Sequence, residues 1–169
     1  MNARKNLGQA GFTMIELIVV ILILGILASI ALPKFINLGA DARYAKIQGI
    51  EGAMKSAVAI VNSAATVRGV VDQATGSTLT MNDGTQVTLA WNWPDGTATG
   101  IPKAAGFDGT TGGVNNTDGL NVTIAAGVVS VYPNSAQTPA SCTLTYTAAT
   151  AANTGPTVVL PATASNTTC

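Results

Sequence analysis

Histidine is absent from this sequence, and charged residues make up only 9% of its 169 positions. Soluble domains carry about 25% charged residues, so neutral polar and small side chains replace much of the usual charge. The absence of histidine excludes a serine triad of the common type and a histidine-ligated metal site within the chain. Eight basic and eight acidic residues give a net charge of zero, which is unfavourable for nucleic-acid binding through bulk electrostatics.

Acidic clusters of the kind that serve catalysis or metal binding are also missing. The acids outside the helical segments are Asp72, Asp83, Asp95, Asp108 and Asp118. Most of them adjoin glycine, which is ordinary turn chemistry. The oxygen-rich segment 106–119 lacks the acid spacing of an EF-hand loop, and calcium binding there stays an open alternative. We therefore predict no enzymatic activity and no catalytic residue, cofactor or metal ligand.

One long apolar run stands near the start of the sequence: GFTMIELIVVILILGILASIAL, residues 11–32. A helix that spans a membrane needs about 20 predominantly apolar residues, and residues 12–32 satisfy this. Arg4 and Lys5 precede the run and favour a cytoplasmic N-terminus with the rest of the chain exported. Lys34, just beyond the other end, weakens this bias.

Glu16 is the one charged residue inside the apolar run. A carboxylate at the edge of hydrocarbon is costly unless it is paired or reaches the interface. Two interpretations stay open: Glu16 reaches water at the helix end, or its partner comes from outside its helix. A cut after Gly11 would create such a partner, the new α-amine of Phe12, either in the same chain or in a neighbouring copy.

Gly25 and Pro33 are the predicted weak points of the apolar helix. Glycine disfavours a helix by about 1 kcal/mol and an interior proline by about 3 kcal/mol, because proline lacks the backbone N–H. We expect the stretch between them to kink or loosen, with a simple proline kink at the membrane exit as the alternative.

Only two cysteines are present, Cys142 and Cys169, both late in the sequence. In an exported chain two thiols most simply form one disulfide, and two unpaired thiols are the alternative. In the chain-entropy model, a disulfide that closes the loop between Cys142 and Cys169 stabilises the fold by about 3–4 kcal/mol. We therefore predict a disulfide that secures the C-terminal segment.

The segment Gly11-Phe12-Thr13-Met14-Ile15-Glu16-Leu17 resembles the prepilin signature of type IV pilins and pseudopilins, although Met14 stands where leucine is more usual. The resemblance implies that a prepilin peptidase cuts between Gly11 and Phe12 and N-methylates Phe12. It also implies that Glu16 registers a subunit against the Phe12 amine of its neighbour during assembly. An inner-membrane platform and a cytoplasmic ATPase would extract the helix from the bilayer.

Two further segments point to one class within that family. Residues 32–43, LPKFINLGADAR, and the tail from Cys142 to Cys169 resemble the mannose-sensitive haemagglutinin class of type IV pilins. The region from Thr66 to Gln137 gives little family signal.

Beyond the apolar run, the pattern favours a second helical stretch. From Phe35 to about residue 65, apolar residues recur every three or four positions; they are Ile47, Ile50, Met54, Ala57, Val58, Val61 and Ala65. We predict that this amphipathic helix continues the apolar one without a break. Its apolar side needs a cover, and a sheet from the remaining chain is the natural one.

Alternating apolar and polar residues then predict antiparallel strands. The predicted strands are residues 78–81, 85–91, 120–124, 128–132, 142–147 and 157–160, with a hairpin turn at Asn82-Asp83-Gly84 and a surface loop at 106–119. We interpret Trp91 and Trp93, on either side of Asn92, as core and edge residues of a strand rather than as a sugar-binding platform. The order of elements predicts an α+β unit.

Combined with the resemblance, this order implies the type IV pilin fold. A long N-terminal helical spine would pack against an antiparallel sheet, with a disulfide-bounded loop at the C-terminus. The predicted boundaries are 1–11 for the removed leader, 12–33 for the transmembrane and polymerisation helix, 34–66 for the amphipathic helix and 67–169 for the β-rich head.

The resulting prediction is a major structural subunit of a type IV pilus. The chain would reside in the inner membrane before assembly and would then form an extracellular homopolymer used for adhesion, with motility as a further use. One alternative is a pseudopilin of a type II secretion system. Another is a secreted binding protein whose apolar run is an ordinary signal peptide, cut after Ser29-Ile30-Ala31, a small-x-small pattern.

Overall fold

The computed structural model describes residues 11–35, 38–70, 76–107, 119–136, 138–165, 167 and 169. The chain divides into two compact units, Met1–Asn37 and Leu38–Cys169, which we call the apolar unit and the head unit. In the apolar unit, helix α1 runs over Met14–Phe35 and has no buried residue. Residues 36 and 37 lie outside the described residues, so an unbroken helix from the apolar run into the head stays a prediction.

Helix α2, Leu38–Val67, is the helix around which the head unit packs. Its buried residues lie three, four or seven positions apart on one face; they are Ile47, Met54, Ala57, Val61 and Ala65. Ile50 and Val58 are partly buried beside them. This face is the apolar stripe that the sequence predicts, and its burial confirms the amphipathic helix.

A three-stranded antiparallel sheet follows, in the order β1 (Ser77–Thr80), β2 (Gln86–Ala90) and β3 (Trp93–Pro94). The turn between β1 and β2 is the predicted one. Asp83 Oδ1 accepts a 2.9 Å hydrogen bond from the Thr85 main-chain N–H, and this bond lowers the pKa of Asp83. Gly84 has a φ of 83°, a left-handed conformation that glycine adopts without strain.

The predicted position of Trp91 is wrong. Strand β2 ends at Ala90, and Trp91 and Asn92 form the turn to β3, with φ angles of 54° and 67°. Two residues with positive φ make a type I′ hairpin turn. On α2, Asn62 Nδ2 donates a 3.1 Å hydrogen bond to the Asn92 carbonyl, so the helix helps to hold a turn that the residue types alone do not indicate.

The second sheet has four antiparallel strands in sequence order: β4 (Leu120–Ala125), β5 (Val128–Pro133), β6 (Leu144–Thr147) and β7 (Thr157–Val159). Alternate residues of β4, β5 and β6 are buried, as a half-exposed sheet requires. The strands predicted in this part of the chain are present, although β6 begins at Leu144, two residues after Cys142.

Two short elements were not predicted from the sequence. Helix α3, Ile101–Ala104, follows the first sheet, and a 3₁₀ turn at Pro139–Ser141 precedes Cys142. The segment 108–118, which holds most of the predicted surface loop, lies outside the described residues.

The core of the head unit has two parts along α2. Ile47 and Met54 pack with the four-stranded sheet, whereas Val61 and Ala65 pack with β1 and β2. The hydroxyl of buried Tyr146 donates a hydrogen bond to the Pro94 carbonyl, which joins the two sheets. Burial, and secondarily the nearby Asp95 carboxylate, raises the pKa of Tyr146. Helix and antiparallel sheets around one spine confirm the predicted α+β fold.

Candidate functional site

Helix α1 exposes apolar side chains on every side. Met14, the first residue of the helix, is 80% exposed, and even Val19, the least exposed of the large apolar residues from Met14 to Leu32, is 47% exposed. A contiguous apolar surface of this kind is not stable in water and marks contact with protein or membrane. In the described part of the chain, one helical stretch that includes α1 is long and apolar enough to cross a membrane.

Thr13 and Glu16 form a capping box at the start of α1. The Thr13 main-chain N–H and the Thr13 hydroxyl both donate to Glu16 Oε2, at 2.8 Å each. The Glu16 main-chain N–H points back to the Thr13 hydroxyl oxygen at 3.3 Å. The helix begins at Met14, so Thr13 is the N-cap residue and Glu16 the third residue of the helix, the arrangement that satisfies N-terminal donors reciprocally.

This local partner of Glu16 was missed in the sequence analysis, which considered only water and groups outside the helix. A signal was available, because threonine followed three residues later by glutamate before an apolar run is typical of a capping box. The capping box orients the carboxylate but does not exclude an additional partner from another molecule.

The predicted cleavage bond joins two exposed residues. Gly11 and Phe12 precede α1 and are exposed, and nothing lies within 4 Å of the position that a Cβ on Gly11 would take. Both residues that flank the predicted bond are therefore accessible immediately before the helix. Cleavage and N-methylation at this bond stay predictions.

The structure places the two predicted weak points inside α1. Gly25 lies in the middle of the helix and Pro33 in its last turn, and α1 continues through both. Space around Gly25 is open, since a Cβ there would meet no atom within 4 Å. Kinking or loosening of the stretch between Gly25 and Pro33 stays a prediction.

Cys142 and Cys169 form the predicted disulfide, with their Cα atoms 5.2 Å apart. Both residues are buried in the main core of the head unit. From α2, Arg43 Nε donates a 2.7 Å hydrogen bond to the main-chain oxygen of Cys169. The end of the C-terminal segment is therefore held both covalently, to Cys142, and by a charged side chain of α2.

Among the described residues, no group of three or more histidine, cysteine or acidic side chains is arranged to hold a metal ion. Calcium binding was left open for segment 106–119, and most of that segment lies outside the described residues. The buried acid Asp95 is bonded to Thr88 and Thr97. Asp95 directly follows β3, and its bonds link β2 to the segment after the first sheet.

Comparison with known proteins agrees with the geometry of the N-terminal segment. A family model described as a prokaryotic N-terminal methylation motif matches residues 6–32. The chain is 48% identical over 50 residues to the type IV narrow pilus major component PilA5 of Thermus thermophilus. It is 42% identical over 50 residues to the type IV major fimbrial protein FimA of Dichelobacter nodosus.

These matches are partial. Each covers 30% of this chain, together with 43% of the Thermus relative and 32% of the Dichelobacter relative, so the chain spans less than half the length of the curated relatives it matches. No solved structure matches significantly. The findings support a type IV pilin and do not distinguish the mannose-sensitive haemagglutinin class.

Proposed function

We propose that this chain is a major structural subunit of a type IV pilus. The observation that carries the proposal is α1, a helix without one buried residue that lies largely within the matched methylation motif. Such a helix needs apolar neighbours on all sides. Lipid supplies them before assembly, and the α1 helices of other subunits supply them in a filament through close side-chain contact.

Processing would follow the segment boundaries that the sequence predicts. A prepilin peptidase would remove residues 1–11 by cutting between Gly11 and Phe12, and Phe12 would be N-methylated. Residues 12–33 would then anchor the subunit in the inner membrane with a cytoplasmic N-terminus. Residues 34–66 and 67–169 would form the exported head. The exposed Gly11–Phe12 bond and the basic residues before it support this order of events.

Assembly would bring the Phe12 amine of one subunit to Glu16 of the next. An inner-membrane platform would draw subunits into a helical homopolymer, and loosening between Gly25 and Pro33 would let α1 adapt to its new neighbours. The polymer would serve surface adhesion, with motility as a further use. Resemblance of residues 32–43 and of the tail to the mannose-sensitive haemagglutinin class supports an assignment to that class.

The pseudopilin alternative has less support. Both relatives quoted above are named as major pilus or fimbrial components, and the disulfide and tail also favour a pilin. Neither proposal assigns an enzymatic role to the chain, which agrees with the absence of histidine.

Electron microscopy of material sheared from cells that express the chain, combined with mass spectrometry, tests the proposal. We expect filaments composed of a chain that starts at Phe12 and carries one extra methyl group there. A secreted chain that starts at Leu32 would instead identify an ordinary signal peptide. Trimmed subunits that stay solitary in the membrane of a host with the complete assembly machinery would contradict the pilus function.

A further inference from the structure

Glu16 uses only one of its two carboxylate oxygens within its own helix. Both donors of Thr13 bond to Oε2. Among the described residues, no hydrogen bond or ion pair reaches Oε1. The carboxylate is thus fixed at one oxygen and has its other oxygen available.

We propose that Thr13 is a positioning residue for filament assembly: it fixes Glu16 through Oε2 and so presents Oε1 to the Phe12 amine of a neighbouring subunit. This inference rests on the pilus function proposed above and adds a role for Thr13 at the same site. The amine bonds to an oxygen that Thr13 does not use. Pairing between subunits therefore leaves the capping box intact.

Ordering of the side chain is the first physical reason for this role. A free glutamate side chain occupies many rotamers, and fixing it opposes pairing. Thr13 has already fixed the carboxylate before the neighbour arrives, which removes part of that penalty from the association step.

Solvation is the second reason. Glu16 lies in the first turn of an apolar helix that is surrounded by lipid or by other helices, where an unsatisfied charged oxygen is unfavourable. The two Thr13 donors satisfy one oxygen while the subunit is alone in the membrane. The remaining oxygen is then satisfied by the cationic amine on assembly, and this difference between the two states favours the filament.

A competition experiment tests the role of the Thr13 hydroxyl. Wild-type chain and a minority of a Thr13→Val variant are expressed together in a host with the assembly machinery. Peptide mass spectrometry then measures the ratio of chains that start at Phe12 in the inner membrane and in sheared filaments. Valine keeps the branched shape and lacks the hydroxyl, so we expect its incorporation relative to the trimmed membrane pool to fall about fivefold.

Thr13→Ser is the matched control, because it keeps the hydroxyl and is expected to incorporate as the wild type does. If Thr13→Val is not trimmed, Thr13→Ala gives the same comparison. A role exercised through Glu16 also predicts non-additive losses. The double variant Thr13→Val/Glu16→Gln should incorporate no worse than Glu16→Gln alone.

Equal incorporation of Thr13→Val and wild type would overturn the positioning role, as would losses that simply add in the double variant. Failure of the pilus function gives a different result, because the wild-type chain itself would then be missing from sheared filaments.

Discussion

Asp95 is the clearest case in which a single residue's environment could not be predicted from the sequence. It is 6% exposed, although its position beside Gly96 suggested an ordinary surface turn. Its Oδ1 accepts bonds from the Thr88 hydroxyl at 2.8 Å and from the Thr97 hydroxyl at 2.6 Å. Gly100 packs directly against the same oxygen, since a Cβ there would lie 2.0 Å away from it. The pocket around this carboxylate depends on glycine.

Replacing Gly100 with alanine is therefore expected to destabilise the head unit by about 3 kcal/mol, through overpacking against the Asp95 side chain and main chain. Thermal unfolding of the full chain in detergent, followed by circular dichroism, measures the change. Gly49→Ala is the matched control. A Cβ at Gly49 meets nothing within 4 Å, and alanine favours the helix by up to about 1 kcal/mol. Equal melting temperatures for the two variants would contradict this account of Gly100.

Secondary-structure elements were predictable where a regular period extends over several residues. The stripe on α2 and the alternation in β4 and β5 are such periods, and burial follows them. Helix α3 has only four residues, too few for a period to be recognised. The turn at Trp91 and Asn92 was missed because its usual residues are asparagine and glycine, whereas here a contact with Asn62 of α2 helps to hold it.

Removal of that contact tests how far α2 supports the hairpin. Asn62→Ala deletes the hydrogen bond to the Asn92 carbonyl and is expected to destabilise the head unit by about 1 kcal/mol. Tryptophan emission should move to longer wavelength, because Trp91 and Trp93 flank the released carbonyl.

Ser63→Ala provides the control for this substitution. The Ser63 hydroxyl bonds to the Ala59 carbonyl of its own helix and is exposed, so its loss should change stability by less than about 0.5 kcal/mol. An unshifted emission spectrum in Asn62→Ala would show that the turn holds its conformation without α2.

On the scale of the whole molecule, more of the structure of the apolar unit than of the head unit could be predicted from the sequence. For the apolar unit, the length and composition of the apolar run predict a membrane-spanning helix, and the resemblance of residues 11–17 to the prepilin signature predicts the processing site. For the head unit, the strands were predicted but not their division into two sheets. Pairing depends on contacts distant in sequence, such as the bond from Tyr146 to Pro94, which local patterns do not encode.

The Cys142–Cys169 disulfide links residues 27 positions apart in the head unit, and its removal should affect stability well beyond the C-terminal loop. In the chain-entropy model, a cross-link over such a loop contributes about 3–4 kcal/mol, so the Cys142→Ala/Cys169→Ala variant should melt roughly 10 °C lower than the oxidised wild type. A reductant should lower the melting temperature of the wild type towards that of the variant and leave the variant unchanged. Under the proposed pilus function, membrane insertion should persist in the variant, because α1 holds neither cysteine, while the yield of sheared filaments should fall with the stability of the head. An oxidised wild type that melts with the variant would mean that the Arg43 bond and the buried core around residue 169 secure the segment without the cross-link.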